Sequence, residues 1–414
     1  MKEQSGSAAT AVSLVGRVLG FLPDWTRLLL AFLATAAIWW RPGKGLQDAL
    51  LAALVLWGLP RWRVAWAVWR RGAGLAFFIL LLFSLLTIPL SSSPRDSLRA
   101  AMKVIDVFAL AFMMPALFPN RPSVERLLAL TASAFTLFIG CDFVRLAWRL
   151  RGNLLRDAHG YEPFFIVHSN VSSMLSGAAL LALVYLGWRH WRRKGLRLAI
   201  AGGLVLHVGY IVVMASRGPQ LALASCLLTS GLVLMPGFRL RALWIALVLA
   251  VGLSLLLWGN PRFRDTRSLR KLAGRETVWN HTLALCSERP WLGYGIGGRL
   301  FRNTYHQSNP PRSPFPYYHP HNYWLFVQFS QGLPGLFLHL ASWAALTWRL
   351  LRYRRFADAD PAARLLAVTL LMGIQFIFFY SLADWPSTQL HILLLWLIPT
   401  ALVVSRPARQ EVLV

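Results

Sequence analysis

Residues 363–382 read ARLLAVTLLMGIQFIFFYSL, twenty positions with one charged side chain, Arg364, close to one end. A helix of that length rises about 30 Å, the thickness of a bilayer's hydrocarbon core, and satisfies its backbone hydrogen bonds internally. The reading of this segment decides the fold, because similar windows recur along the whole chain. They fall near 22–40, 46–60, 74–90, 98–118, 124–146, 169–188, 196–215, 218–235, 241–258, 333–350, 363–382 and 387–404. In a chain of 414 residues that is 56% apolar, the pattern predicts an all-α polytopic membrane protein of about twelve transmembrane helices.

The opening MKEQSGSAATAVSLVGRVLG lacks the basic, apolar and cleavage-site order of a secretory signal, so the first span is expected to direct insertion itself. Of the cysteines, Cys141 and Cys226 fall inside predicted spans and Cys286 in a predicted loop, which argues against a disulfide framework. Orientation follows from short basic loops: RWRVAWAVWRR (61–71), PNRPSVER (119–126), RHWRRKGLR (189–197), GFRLR (237–241), RLLRYRR (349–355) and SRPAR (405–409). All share one side if twelve spans alternate, and such loops stay cytoplasmic. Both terminal segments, 1–21 and 405–414, then lie in the cytoplasm. Residues 22–258 carry nine spans and 333–404 three, with 259–332 between them as one large outer loop. The other outer pieces are SSSPRDS (91–97), the segment 147–168, the turn at Arg217 and ADWPS (383–387).

That outer loop is rich in arginine. Arg262, Arg264, Arg267, Arg270, Lys271, Arg275, Arg289, Arg299, Arg302 and Arg312 face only Asp265, Glu276 and Glu288. Long loops are translocated regardless of charge, so the orientation stands. Guanidinium groups fit phosphate oxygens in a planar fork, which suits either anionic headgroups of membrane lipids or a phosphorylated substrate. The formal charge of +27 does not point to nucleic acid, because the cations are dispersed between spans and no nucleic-acid module is visible.

Two pieces of the loop carry structure of their own. In AGRETVWNHTLALCSERPWLGYGIGG (273–298), Val278, Trp279, Leu283 and Leu285 suit an interfacial helix of about three turns that follows Gly274 and ends before Pro290. Arg275 then sits in its first turn, either drawing anions or pairing with an acid such as Glu276. GYGIGG (293–298) lacks the preceding strand, the following helix and the lysine of a nucleotide loop, and reads as a flexible turn. The second piece is YYHPHNYWLF (317–326). Pro320 drives His319 to extended backbone, and Asn322 suits the N-cap of a helix beginning YWLFVQFS. His321 lands just before that helix, where the dipole favours a neutral imidazole able to take a proton. The plainer alternative is a histidine packed among Tyr317, Tyr318 and Trp324. Zinc is the weaker rival, since no cysteine or acid stands near the two histidines.

Two further residues matter on the outer side. Arg217, in MASRGPQLAL (214–223), joins two spans by a tight turn beside a helix start, and either snorkels to headgroups or receives an anion. Asp384, in the last outer turn, either caps the final helix, neutralises an arginine or orients a histidine. A transporter would carry ionisable groups at mid-membrane, for which Lys103 and Asp106 are the nearest candidates; His207 reads as a helix contact.

The SRG turn between two central spans, GRE and PWLGYGIG in the large loop, and the closing PHN before a helix together resemble the O-antigen ligases. That family belongs to a superfamily shared with O-antigen polymerases and protein O-oligosaccharyltransferases. The motifs lie within residues 200–385. The resemblance implies a GT-C-like glycosyltransferase of the Gram-negative inner membrane, with its site facing the periplasm. It further implies undecaprenyl-diphosphate-linked O-antigen as donor, lipid A-core as acceptor and no cofactor. Residue by residue, it implies that Arg217 and Arg275 hold the donor diphosphate and that His321 is the base. Asp384, Asn322, His319 and Glu276 are supporting positions, with no family role for His319. The scarcity of outer acids argues for arginines in place of a carboxylate-held metal, and direct displacement implies inversion. O-antigen polymerase, protein O-oligosaccharyltransferase and a lipid-glycan transporter are the alternatives.

Overall fold

The structure, a computed structural model, describes residues 44–70, 73–118, 121–150, 169–214, 217–234, 266–308, 310, 319–356 and 360–383. Among these residues every regular element is helical. We number the helices α1 (Lys44–Gly58), α2 (Trp62–Trp69), α3 (Ala73–Leu86), α4 (Pro94–Leu117), α5 (Arg121–Leu150) and α6 (Ser169–Arg189). They continue as α7 (Lys194–Met214), α8 (Arg217–Leu234), α9 (Thr266–Glu288), α10 (Gly298–Gln307), α11 (Tyr323–Phe356) and α12 (Pro361–Ala383).

Each predicted span that falls on described residues overlaps a helix: 46–60 with α1, 74–90 with α3, which ends at Leu86, 98–118 with α4, 124–146 with α5, 169–188 with α6, 196–215 with α7, 218–235 with α8, 333–350 with the second part of α11, and 363–382 with α12. Among the described residues three helices, Arg121–Arg149, Lys194–Met214 and Pro361–Leu382, are both long and apolar enough to cross a membrane. The windows 22–40, 241–258 and 387–404 lie outside the described residues.

Contacts fix how the helices run. Tyr210 of α7 donates to Ser172 of α6 at 2.9 Å, and Gly187 and Gly203 approach Ile200 and Leu183 across the same pair, so α6 and α7 are antiparallel. His207 is fully buried and bonds Thr136 of α5 at 3.1 Å, as its reading as a helix contact requires. Gly177 of α6 lies against the ring of Phe376 of α12, where a Cβ would sit 2.5 Å from the ring. One large apolar core joins these helices, built from residues such as Phe135, Ala178, Tyr185, Leu370 and Ile377. Lys103 and Asp106 belong to α4, with their side chains outside the description.

Helix α11 departs from regularity at Gly332, whose φ is 67° and ψ −169°, two residues before Pro334. A straight helix would hold residues sixteen apart at about 24 Å. Instead Tyr323 bonds His339 at 3.2 Å and the Trp324 and Trp343 rings are 6.2 Å apart. Residues 323–331 therefore fold back along the part of α11 that follows the kink. Glycine makes the reversal possible, since a side chain is strained at that φ.

Candidate functional site

Residues 319–322 sit at the open end of this folded-back segment. Asn322 caps it as its sequence position predicts, its side-chain oxygen accepting from Leu325 N–H at 3.1 Å. His321 is the one non-glycine among the described residues with positive φ, 49°. Histidine tolerates this left-handed region better than most side chains, yet it stores strain that surrounding contacts must hold. The turn brings the rings of His319 and His321 edge to face, with centroids 4.0 Å apart. Both are half-buried.

The holding contact comes from α9. The indole N–H of Trp279 donates to the carbonyl of Pro320 at 2.6 Å. Around this bond lies a second apolar core, in which Val278 and Leu285 of α9, Phe301 and Tyr305 of α10, and Leu325, Phe326 and Phe329 of α11 pack together. The GRE segment and the PHN turn, far apart in sequence, thus belong to one small aromatic-centred unit. Arg275 is half-buried one helical turn before Trp279, on the same face, and Glu276 beside it is exposed.

Helix α9 starts earlier than the sequence suggests. It runs from Thr266, so Arg275 lies in its middle and not in its first turn, and the local field of a helix start does not act on it. Gly274 inside the helix costs only about 1 kcal/mol, and the residues SLRKLA before it are mostly good helix formers. The predicted end before Pro290 holds, with Glu288 last. Cys286 is in this helix and buried, not in a loop. His281, whose imidazole burial lowers below its ordinary pKa, bonds Ser308 at 2.7 Å and so ties α9 to the end of α10.

GYGIGG is likewise not a loose turn, and a helix does follow it, α10 from Gly298. The N–H groups of Tyr294 and Gly295 donate to the carbonyls of Phe329 and Ser330 at 2.8 and 2.9 Å, and Leu333 N–H donates to Pro290 at 2.7 Å. On the other side, Ser92 N–H and the hydroxyls of Ser91 and Ser92 reach the Tyr294 carbonyl at 2.8, 3.1 and 2.9 Å. Gly293 and Gly295 have φ of 65° and 119°, and any Cβ there would strike Phe329 O at 2.5 Å or Ser91 Oγ at 2.1 Å. The glycines serve close backbone approach. Tyr294 stacks on Phe329 at 4.8 Å under the Arg289 guanidinium, and burial with the bond to Glu288 pushes its hydroxyl up to about 12, so it stays a donor.

Arg217 is the first residue of α8, as the SRG turn predicts. Gln220 donates to Ile211 at 3.1 Å, which sets the start of α8 beside the end of α7. Trp324 packs on Phe378 at 4.9 Å, near the end of α12. The backbones of Arg217 and the PHN turn therefore occupy the same end of the bundle. The Arg217 side chain and Asp384 lie outside the described residues. Sequence reading overlooked Trp279 as more than an apolar position, because nothing in the sequence links it to Pro320, 41 residues away.

The comparisons fall on the same region. A family model described as O-Antigen ligase matches residues 202–340, from α7 through the PHN turn into α11. The O-antigen ligase of Pseudomonas aeruginosa is 26% identical over 358 residues, covering 82% of this chain and 79% of that protein. Over these stretches the chain is similar to the O-antigen ligases.

Proposed function

We propose that this protein transfers O-antigen polysaccharide from undecaprenyl diphosphate to lipid A-core on the periplasmic face of a Gram-negative inner membrane. Its similarity to the O-antigen ligases supports this reading. The observation that carries the reading is the bond from Trp279 to Pro320, which sets the arginine-bearing helix against the histidine-bearing turn inside the matched region. In the reaction, an acceptor hydroxyl gives its proton to His321 and its oxygen attacks the anomeric carbon of the donor sugar. The bond from that carbon to the diphosphate oxygen breaks, with inversion. Undecaprenyl diphosphate leaves as an anion, and Arg217 and Arg275 neutralise its charge in place of a metal. Asn322 fixes the helix behind the base, while His319, Glu276 and Asp384 support the site from its margin.

The test is reconstitution with carrier-linked glycan and lipid A-core supplied together and separately. Product on lipid A-core, undiminished by a chelator, is expected. His321→Ala and Arg275→Ala proteins that insert normally should lose at least about 100-fold in rate, the usual worth of general-base help or of one charged contact to a leaving group. Lengthened carrier-linked chains would make the protein a polymerase, and product requiring a sealed bilayer and no bond formation a transporter. Full turnover by His321→Ala would remove the proposed base.

A further inference from the structure

We propose that Trp279 is a positioning residue that sets the direction of the His321 imidazole, and that it couples this base to the anion-holding face of α9. The inference rests on the assignment of His321 as base. Its geometry is independent of that assignment. The Trp279 indole N–H reaches the Pro320 carbonyl at 2.6 Å, and that carbonyl belongs to the peptide that enters His321. His321 has φ of 49°, a strained conformation for a non-glycine residue that persists only where neighbours over-determine it. On one side of His321, Asn322 anchors the chain by capping α11. On the other side, Trp279 anchors it through the Pro320 carbonyl.

Fixing the peptide at both ends fixes the direction in which the ring leaves the backbone. The ring also meets His319 edge to face at 4.0 Å, so a rotation of the Pro320 peptide would break that contact as well. Trp279 is held in turn: Val278 beside it is fully buried, and Leu325 and Phe326 belong to the same core. Arg275 stands four residues before Trp279, one turn away on the same face. A shift of α9 on engaging an anion is therefore passed through one hydrogen bond to the base. The cost of losing that bond is geometric, and a misplacement of about 1 Å lowers a rate by about 100-fold.

The experiment measures turnover, donor KM and thermal stability of the full chain carrying Trp279→Phe, and of the chain carrying Trp279→3-benzothienylalanine. The second keeps the shape of the ring and removes only the donor. Both should lower kcat by 10- to 100-fold with donor KM within twofold of the parent. In a His321→Ala background, Trp279→Phe should add less than a twofold further loss, because residues that act as a unit are not additive. Unchanged kcat in the benzothienyl protein overturns the proposal. So does a loss confined to KM, or one that multiplies in full with His321→Ala. If His321→Ala itself turns over normally, the base assignment fails first, and a kcat loss in the benzothienyl protein then attributes positioning to another group on the 319–322 turn.

Discussion

Asn322 shows how much depends on one side chain at the PHN turn. Its oxygen accepts from Leu325 N–H at 3.1 Å, and its carbonyl accepts from Phe326 N–H at 3.0 Å. It is thus both cap and first acceptor of the folded-back segment. Replacing such a cap by alanine costs about 0.5–2 kcal/mol. Asn322→Ala should lower the melting temperature and reduce turnover together, because the freed helix start carries His321 with it. Asn322→Asp keeps an acceptor and adds a negative charge at a helix start, which is favourable; it should melt at or above the parent. A melting temperature for Asn322→Ala equal to that of Asn322→Asp would show that the cap does not hold the segment. This residue was legible in sequence because a cap and the helix it starts are local. Trp279 was not, since its partner is defined only by packing between α9 and α11.

At the scale of elements, the interlock of the glycine turn with the reversal at Gly332 holds the site segment in place. A Cβ on Gly332 would lie 2.4 Å from the backbone of Trp291, and φ of 67° already disfavours any side chain. Gly332→Ala is expected to cost roughly 2–5 kcal/mol, strain and overpacking combined. It should also cut turnover, since the Pro290 to Leu333 bond and the position of residues 323–331 depend on that approach. Gly202 in α7 is the matched control: nothing lies within 4 Å of a Cβ there, so Gly202→Ala should be neutral or stabilising by about 0.5–1 kcal/mol. Melting curves and turnover of both proteins decide the matter, and equal behaviour would dissolve the interlock. The sequence showed glycines in this stretch, but periodicity cannot tell a loose turn from a cradle whose partners are the Ser91 and Ser92 hydroxyls, the Ser92 N–H and the kink of α11. Arg275 was misplaced for a related reason. Gly274 looked like a boundary, and only the continuous helix from Thr266 shows that strong helix formers on both sides carried the backbone through it.

The whole molecule has two ends of opposite character. At one, Arg121 bonds Glu125 at 2.8 Å and pairs with Asp360, Tyr185 donates to Glu125 at 2.6 Å, and Arg189 lies 3.7 Å away. This clasp joins the start of α5, the end of α6 and the residue that caps α12. It adjoins the basic stretch 189–197. At the other end lie the start of α8, the end of α7 and the Trp324–Phe378 contact beside the PHN turn. Positively charged short loops stay in the cytoplasm, so the clasp end is expected to face inward and the histidine turn outward. Arg192 and His306 are both exposed and report the two sides. With Cys141, Cys226 and Cys286 replaced by alanine, a membrane-impermeant maleimide should label His306→Cys in cells whose inner membrane is intact. It should label Arg192→Cys only after that membrane is opened. The reverse pattern would put the turn on the side where the proposed acceptor is not presented. Labelling of both from outside would break the alternation that twelve spans require, since an even number of crossings separates neither terminus from the other and an odd number must separate these two positions.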